Sequence, residues 1–157
     1  MDSETKNAKV IFPYEEALAK TMKYFNGDEL AASVWINKYA MKDSFGNLYE
    51  CTPKDMHQRL AREFARIENK YPKPMSEKEI FYLLDHFKYV IPQGGPMSGI
   101  GNDHQIASLS NCFVIGHEKP ADSYGGILKI DEEQVQLMKR RGGVGHDLSH
   151  IRPKNSV

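Results

Sequence analysis

Apolar residues recur at helical spacing through the first half of the chain, and turn or capping residues separate the runs. This pattern predicts four helices, which begin at Tyr14, after Asp28, after Thr52 and after Ser76. The side chains expected to face a common core are Leu30, Val34, Trp35, Met56, Leu60, Phe64, Ile67, Ile80, Leu83, Leu84 and Phe87.

The second half of the chain has a different pattern. Residues 90–101 are rich in glycine and proline, so we expect no regular element there. The apolar run over 106–115 predicts a strand. Asp131 is expected to cap a helix that ends at Arg141, and a second short strand is expected over 150–152.

These elements predict an α+β chain in two parts. A mostly helical domain is expected over 1–89, and a strand–helix–strand unit over 90–157. A single unit of this kind cannot cover both faces of a parallel sheet, so we expect it to be the beginning of a larger α/β domain.

The composition indicates which partners and which cellular location to expect. Lys and Arg total 21, as do Asp and Glu, so no net charge attracts nucleic acid or an anionic membrane. The N-terminus lacks the basic and apolar regions of a signal peptide, and no apolar run is long enough to span a membrane. Cys51 and Cys112 do not suggest a disulfide framework. We therefore expect a cytoplasmic protein with neither a membrane nor a nucleic-acid partner.

Cys112 is the main candidate for chemistry. It lies in the predicted strand, directly after Ser108, Ser110 and Asn111, whose side chains can hydrogen-bond a ligand. Taken alone, a buried structural cysteine is the commoner interpretation, since free cysteines often lie in the core. No role is predicted for Cys51.

Two further patterns leave alternatives open. The stretch 139–145 joins basic side chains to glycines, and it predicts either an anion-binding loop or a basic helix end closed by glycine. His146 and His150 are four residues apart, but no third metal ligand is evident, and we predict no metal site.

Four motifs follow one another in a fixed order along the second half of the chain. They are Ser108-Leu109-Ser110-Asn111-Cys112-Phe113-Val114, Asp122-Ser123-Tyr124, Lys139 to Val144, and Ile151-Arg152-Pro153-Lys154. In this order they resemble the large, catalytic subunit of ribonucleotide reductase, and the upstream segments Tyr24-Phe25-Asn26-Gly27-Asp28 and Ile91-Pro92-Gln93-Gly94 agree with it. The likeness is closest to adenosylcobalamin-dependent ribonucleoside-diphosphate reductases, although diiron-dependent subunits share these motifs.

The resemblance implies a fold and a set of site residues. It implies a helical N-terminal domain that leads into a ten-stranded α/β barrel, of which this chain holds the first strand–helix–strand. Cys112 would lie on the first barrel strand as one of two cysteines that reduce the ribose. Asn111, Cys112 and Gly143 would border a ribonucleoside diphosphate. Effector-binding residues would be Asp122, Lys139, Arg141 and Arg152, which would hold a deoxynucleotide or ATP.

The resemblance also implies partners and a radical source. The rest of the catalytic subunit and a second copy would be required, and thioredoxin or glutaredoxin would restore the reduced cysteines. No cofactor is expected on this segment alone. Adenosylcobalamin, or a partner subunit with a metal-radical centre, would serve the full enzyme.

The chain departs from the family in several places. A second reducing cysteine, the radical cysteine and the C-terminal cysteine pair are absent, so we expect no activity from this chain alone. Gly94-Gly95 stands where many relatives have a hydroxyl residue near the substrate diphosphate. The alternatives are a nucleotide-binding or dimerisation module without redox function, and a purely structural helical interaction domain.

Overall fold

The computed structural model describes residues 10–116 and 122–156. Its order of elements is α1 (Tyr14–Tyr24), α2 (Glu29–Lys38), α3 (Pro53–Glu68), α4 (Glu77–Leu84), a 3₁₀ turn (Asp85–Phe87), α5 (Gly94–Gly99), β1 (Cys112–Ile115), α6 (Tyr124–Met138) and β2 (Gly143–His146). The protein is therefore mixed α and β, with two parallel strands and a predominance of helix. Its contacts separate two compact units, Met1–Gln105 and Ile106–Val157.

The division between the units lies later in the chain than the boundary predicted after Tyr89. Residues 94–99 form the short helix α5, whereas we expected no regular element in this glycine-rich segment. Pro96 is tolerated there because its missing N–H lies in the first turn, where no helical acceptor exists. A Cβ at Gly94 would lie only 3.2 Å from the ring of Tyr39, so any larger residue there would require the ring to shift by a few tenths of an ångström.

The core of the first unit is built from helices α1 to α4. Trp35, Ile36, Met56, Leu60 and Leu84 are buried and form one cluster. Each such side chain contributes about 1.5–3 kcal/mol through removal of its surface from water. The Trp35 indole N–H also contacts the sulfur of Met56 at 3.5 Å, which joins α2 to α3.

The predicted inner face of α2 is partly wrong. Leu30 is 73% exposed and Val34 also reaches solvent, while the buried positions are Ala32, Trp35 and Ile36. These three share one helical face, and Leu30 lies on the opposite side of α2. Phe64 and Ile67 of α3, also predicted to be buried, keep more than a third of their surface exposed.

A buried ion pair in the first unit joins Arg59 of α3 to Glu50, which lies just before that helix. The Arg59 guanidinium donates to both carboxylate oxygens of Glu50, at 2.7 and 3.2 Å, and both side chains are almost completely buried. Arg59 also donates to the carbonyls of Met97 and Ile100, and Glu50 accepts from the backbone N–H of Met41. Every charge in this network is hydrogen-bonded, as a buried ion pair requires.

The second unit is a parallel strand–helix–strand unit. β1 pairs with β2 in the register Cys112↔Gly143, Phe113↔Val144, Val114↔Gly145 and Ile115↔His146. The second strand was predicted over 150–152, which instead form a turn and bend. Its true position follows from pairing with β1 and not from its own composition, which includes two glycines.

The helix between these strands begins earlier than predicted. Ser123 caps α6, because its hydroxyl accepts from the backbone N–H of Gly126 at 3.0 Å. Asp131, the predicted cap, lies in the middle of α6. Gly125 and Gly126 lie in the first turn of the helix.

In the part of the chain that the structure describes, no helix combines the length and the apolar character needed to cross a bilayer.

Candidate functional site

Asn111, Cys112 and Gly143 meet at the start of the two-stranded sheet. Cys112 opens β1 directly opposite Gly143, the first residue of β2. The backbone N–H of Gly143 donates to the carbonyl of Asn111 at 2.6 Å. A Cβ at Gly143 would lie 3.2 Å from that carbonyl and 3.8 Å from the Cys112 sulfur. The structure thus brings together the three residues predicted to border the substrate, and glycine leaves the thiol uncovered on this side.

The thiol lies on the sheet face that α6 does not cover. Phe113 and Ile115 are partly buried and point toward α6. Leu137 of α6 lines a shallow cavity together with Ile115, which shows that the helix lies on this face of the sheet. Cys112 and Val114 alternate with them and are exposed on the other face. The structure therefore favours an accessible thiol over the buried structural cysteine that Cys112 alone would suggest.

Gly142 has a packing role that the sequence analysis did not identify. A Cβ there would lie 2.7 Å from the ring of Phe113 and 3.1 Å from the carbonyl of Leu137. The absence of a side chain therefore lets the end of α6 approach β1. The double glycine at 142–143 was a visible signal, but we interpreted Gly142 only as part of a helix end or an anion-binding loop.

The predicted effector residues form two groups. Arg152 Nε donates to Asp122 Oδ2 at 3.1 Å, immediately before the cap of α6. Both side chains are partly exposed, so this pair contributes at most about 1 kcal/mol to stability. Lys139 and Arg141 follow the last turn of α6, roughly 22 Å from its beginning at 1.5 Å per residue. The structure joins Asp122 to Arg152 and does not bring Lys139 or Arg141 beside them.

The glycine-rich stretch 139–145 matches a closed helix end better than an anion-binding loop. The backbone N–H of Gly142 donates to the carbonyl of Leu137, and that of Gly143 to Asn111. Two of the amides that an anion would need are thus already used within the chain. Among the residues that the structure describes, no group of three or more metal-binding side chains occurs, and His146 and His150 do not belong to one.

A polar cavity in the first unit was not anticipated from the sequence. It has a volume of about 340 Å³ and lies above the Glu50–Arg59 pair, with Tyr49, Arg62 and Asp103 in its wall. The ring of His104 stacks on Tyr49 at 4.5 Å between centroids. No local motif marks this cavity, because its walls come from α3 and from two irregular segments that are distant in sequence.

Comparison with known proteins leaves the family undecided. No protein-family model matches the chain, and no curated protein matches it either. The resemblance to ribonucleotide reductase therefore stays a prediction that rests on the ordered motifs.

Proposed function

We propose that this chain is the N-terminal part of a ribonucleotide reductase catalytic subunit, in which Cys112 is one of two cysteines that reduce the ribose. The observation that carries the proposal is the position of Cys112. It is exposed on the sheet face opposite α6, beside Asn111 and a glycine that leaves it open. A substrate could reach the thiol from this face without displacing the helix.

The same face supports a place in a larger α/β domain. Val114 is 84% exposed beside the thiol, and parallel strands with an uncovered apolar face belong in most proteins to a larger sheet whose two faces are covered. In the proposal, β1 and β2 are strands of the ten-stranded barrel. Helix α6 lies on the outside of the barrel, and the thiol points toward its interior.

In the proposed reaction, Cys112 is one of two cysteines that are oxidised together. The Cys112 thiol and a second thiol from another part of the subunit together give up two electrons and two protons as they form a disulfide. The 2′-hydroxyl leaves as water, and C2′ of the ribonucleoside diphosphate gains hydrogen. Thioredoxin or glutaredoxin then reduces the disulfide by thiol–disulfide exchange. Adenosylcobalamin or a partner metal-radical subunit would supply the initiating radical, and no residue of this chain is assigned to hold either.

The Asp122–Arg152 pair is proposed to bind the effector nucleotide. A carboxylate accepts from a ribose hydroxyl, and a guanidinium holds a phosphate with two parallel hydrogen bonds. The two side chains are already adjacent, so the site needs little rearrangement. Lys139 and Arg141, at the far end of α6, would act on the same nucleotide only if a second copy brought them there.

The redox role is tested in the full catalytic subunit that contains this segment. Cys112→Ser should abolish thioredoxin-dependent reduction of ribonucleoside diphosphates. Cys51→Ser is the matched control, because Cys51 is buried in the helical unit and should leave turnover intact. Unchanged turnover in Cys112→Ser would show that the redox assignment is wrong. The chain alone should show no reduction.

The effector role is tested on the chain itself. Calorimetric titration with deoxynucleoside triphosphates should show binding that Asp122→Ala weakens by about tenfold, which corresponds to the loss of one charge-assisted hydrogen bond. Glu132→Ala removes the same charge from the middle of α6 and should leave the affinity unchanged. Equal affinities for the Asp122→Ala variant and the unmodified chain would exclude this site.

A second candidate function is a dimerisation module without redox activity. Helix α6 leaves Tyr124, Leu128, Val135 and Met138 exposed, which is a large apolar surface for so short a unit. This alternative predicts self-association in analytical ultracentrifugation and no ribonucleotide reduction that depends on Cys112. The reductase proposal predicts such reduction and its loss in Cys112→Ser, so one variant separates the two.

A further inference from the structure

Two tyrosine hydroxyls meet on the surface of the first unit, far in sequence from Cys112. Tyr82 lies on the solvent side of α4, and Tyr89 follows the 3₁₀ turn. Their hydroxyl oxygens are 3.1 Å apart, and their ring centroids 5.4 Å apart. The side chains are 57% and 55% exposed, so a reagent in solution can reach both.

Lys88 is the third member of this group, and we call Tyr82, Lys88 and Tyr89 together the cluster. The Lys88 ammonium lies 5.3 Å from the ring centroid of Tyr82 and 4.9 Å from that of Tyr89. Both distances are within the range of cation–π attraction, so the charge is held beside both phenols. A positive charge and a hydrogen-bond donor at this distance both stabilise a phenolate.

The cluster changes the acidity of two of its members in opposite directions. The hydrogen bond between the Tyr82 and Tyr89 hydroxyls and the charge of Lys88 lower the pKa of Tyr82 below its usual value of 10.0. The hydrogen bond to Tyr89 and the proximity of Tyr82 raise the pKa of Lys88 above 10.5. The two pKa values are thereby moved apart, so loss of the Tyr82 proton is favoured relative to loss of the Lys88 proton.

We propose that Tyr82 is a modification site, whose phenol oxygen reacts with activated sulfonyl or phosphoryl groups while Tyr89 and Lys88 stabilise its anion. In the reaction with an aryl sulfonyl fluoride, the Tyr82 oxygen attacks sulfur and an S–O bond forms. The S–F bond breaks, fluoride leaves with the electron pair, and the phenol proton passes to solvent. Tyrosine is an established nucleophile for such covalent chemistry. The site does not depend on the proposed reductase function.

Tyr71 provides an internal reference for the test. It is 59% exposed, and among the described residues its side chain makes no hydrogen bond, ion pair or ring contact. The chain is incubated with an aryl sulfonyl fluoride between pH 7 and 9, and peptide mass spectrometry follows each tyrosine. We expect Tyr82 to be labelled faster than Tyr71, on the order of threefold or more, through its larger phenolate fraction. Equal rates, or preferential labelling of Lys88, would overturn the proposal.

Three variants separate the cluster from simple exposure. Tyr89→Phe removes the hydroxyl and keeps the ring, and Lys88→Met removes the charge and keeps a long side chain. Lys54→Met removes an exposed charge from α3, away from the cluster, and is the control. All three positions are exposed or removed from the core, and circular dichroism checks their folding. Slower labelling of Tyr82 in either cluster variant than in the control supports the proposal. The same rate in all three variants contradicts it.

Discussion

At the scale of single residues, the two cysteines lie in opposite environments. Cys51 is 5% exposed, and burial raises the pKa of its thiol. Cys112 is exposed at the start of β1, with Gly143 opposite. Thiol reactivity depends on access and on the thiolate fraction, so the two should differ strongly toward the same reagent.

Alkylation of the native chain tests this difference. With iodoacetamide at pH 7.5, we expect Cys112 to react about ten times faster than Cys51, or more, because Cys112 is exposed whereas burial shields Cys51 and raises the pKa of its thiol. Mass spectrometry of the labelled peptides measures both rates. In urea the rates should converge. Equal rates in the native chain would show that the second unit covers Cys112 or that the first unit exposes Cys51.

Gly101 is a residue whose side chain is excluded for two separate reasons. Its φ of +68° is in the left-handed region, and a Cβ there would lie 2.9 Å from Cγ of Arg59 and of Glu63. Gly46 has a similar φ of +86° but has open space around it. The pair therefore separates backbone strain from steric contact.

Substitution of both glycines measures the two effects. Gly46→Ala should cost about 1 kcal/mol through the left-handed conformation alone. Gly101→Ala should cost at least about 2 kcal/mol, because the buried Arg59 stem must also move. Urea denaturation gives both values. Similar costs would mean that the Arg59 side chain yields without penalty.

At the scale of elements, two residues could have capped α6, and only one of them does. Ser123 makes the capping hydrogen bond, whereas Asp131 lies inside the helix. Ser123→Ala should destabilise the second unit by about 0.5–2 kcal/mol through loss of the cap. Asp131→Ala should change its stability by less than about 0.5 kcal/mol, since alanine favours a helix interior. Thermal melting followed by circular dichroism measures both changes. A larger effect of Asp131→Ala would show that Asp131, as first predicted, is the residue that caps the helix.

Local signals predicted the helices of the first unit better than its packing. Capping residues such as Asp28 and Ser76 lie next to the helices that they cap, so they can be recognised in sequence. Which face of α2 is buried depends on α1, and nothing near Leu30 reveals that it points outward. β2 is less predictable still, because its glycines have low strand propensity and only pairing with β1 makes it extended.

In the candidate site too, some residues could be predicted from local motifs and others could not. Cys112, Asn111 and Gly143 were found because short motifs contain them, and their proximity follows from the parallel pairing of two distant segments. The Glu50–Arg59 network was missed because its partners, Met97 and Ile100, come from the region in which we expected no regular structure. Such contacts exist only once the chain has folded.

At the scale of the whole molecule, the first unit should be sensitive to acid because of His57. This side chain is completely buried, and neither ring nitrogen has a hydrogen-bond partner among the described residues. Burial lowers the pKa of His57 to about 4, against 6.5 in water. The unfolded chain therefore binds a proton more readily, so the contribution of neutral His57 is fully present above pH 6.5 and is lost as the pH falls toward 4.

Comparison with a variant isolates this contribution. Between pH 7 and 4.5 the unmodified chain should lose up to roughly 3 kcal/mol of unfolding free energy that His57→Leu does not lose. Burial would raise the pKa of Asp43, but its hydrogen bonds outweigh burial and hold the pKa at about 2. Asp43 therefore changes the free energy of unfolding only below the pH range of this comparison. Urea titrations at each pH measure the difference. Parallel pH profiles for the two proteins would show that His57 is solvated.

The buried ion pair makes a second prediction for the whole unit. Arg59→Met leaves the Glu50 carboxylate buried without its partner and should cost about 3–5 kcal/mol. The double variant Glu50→Gln/Arg59→Met removes both charges and should recover much of that loss. Chemical denaturation of the two variants measures the coupling. If both variants were equally destabilised, packing and not charge would be the reason.

The register between β1 and β2 has a consequence for how this sequence can change over evolution. Because successive strand residues face opposite sides, an insertion of one residue between Gly142 and β2 would turn the pattern of β2 over relative to β1. A bulkier residue would then replace Gly143 beside the thiol. Natural variants should therefore differ freely in the identity of exposed residues along α6. They should keep the same number of residues between Ser123 and Gly143.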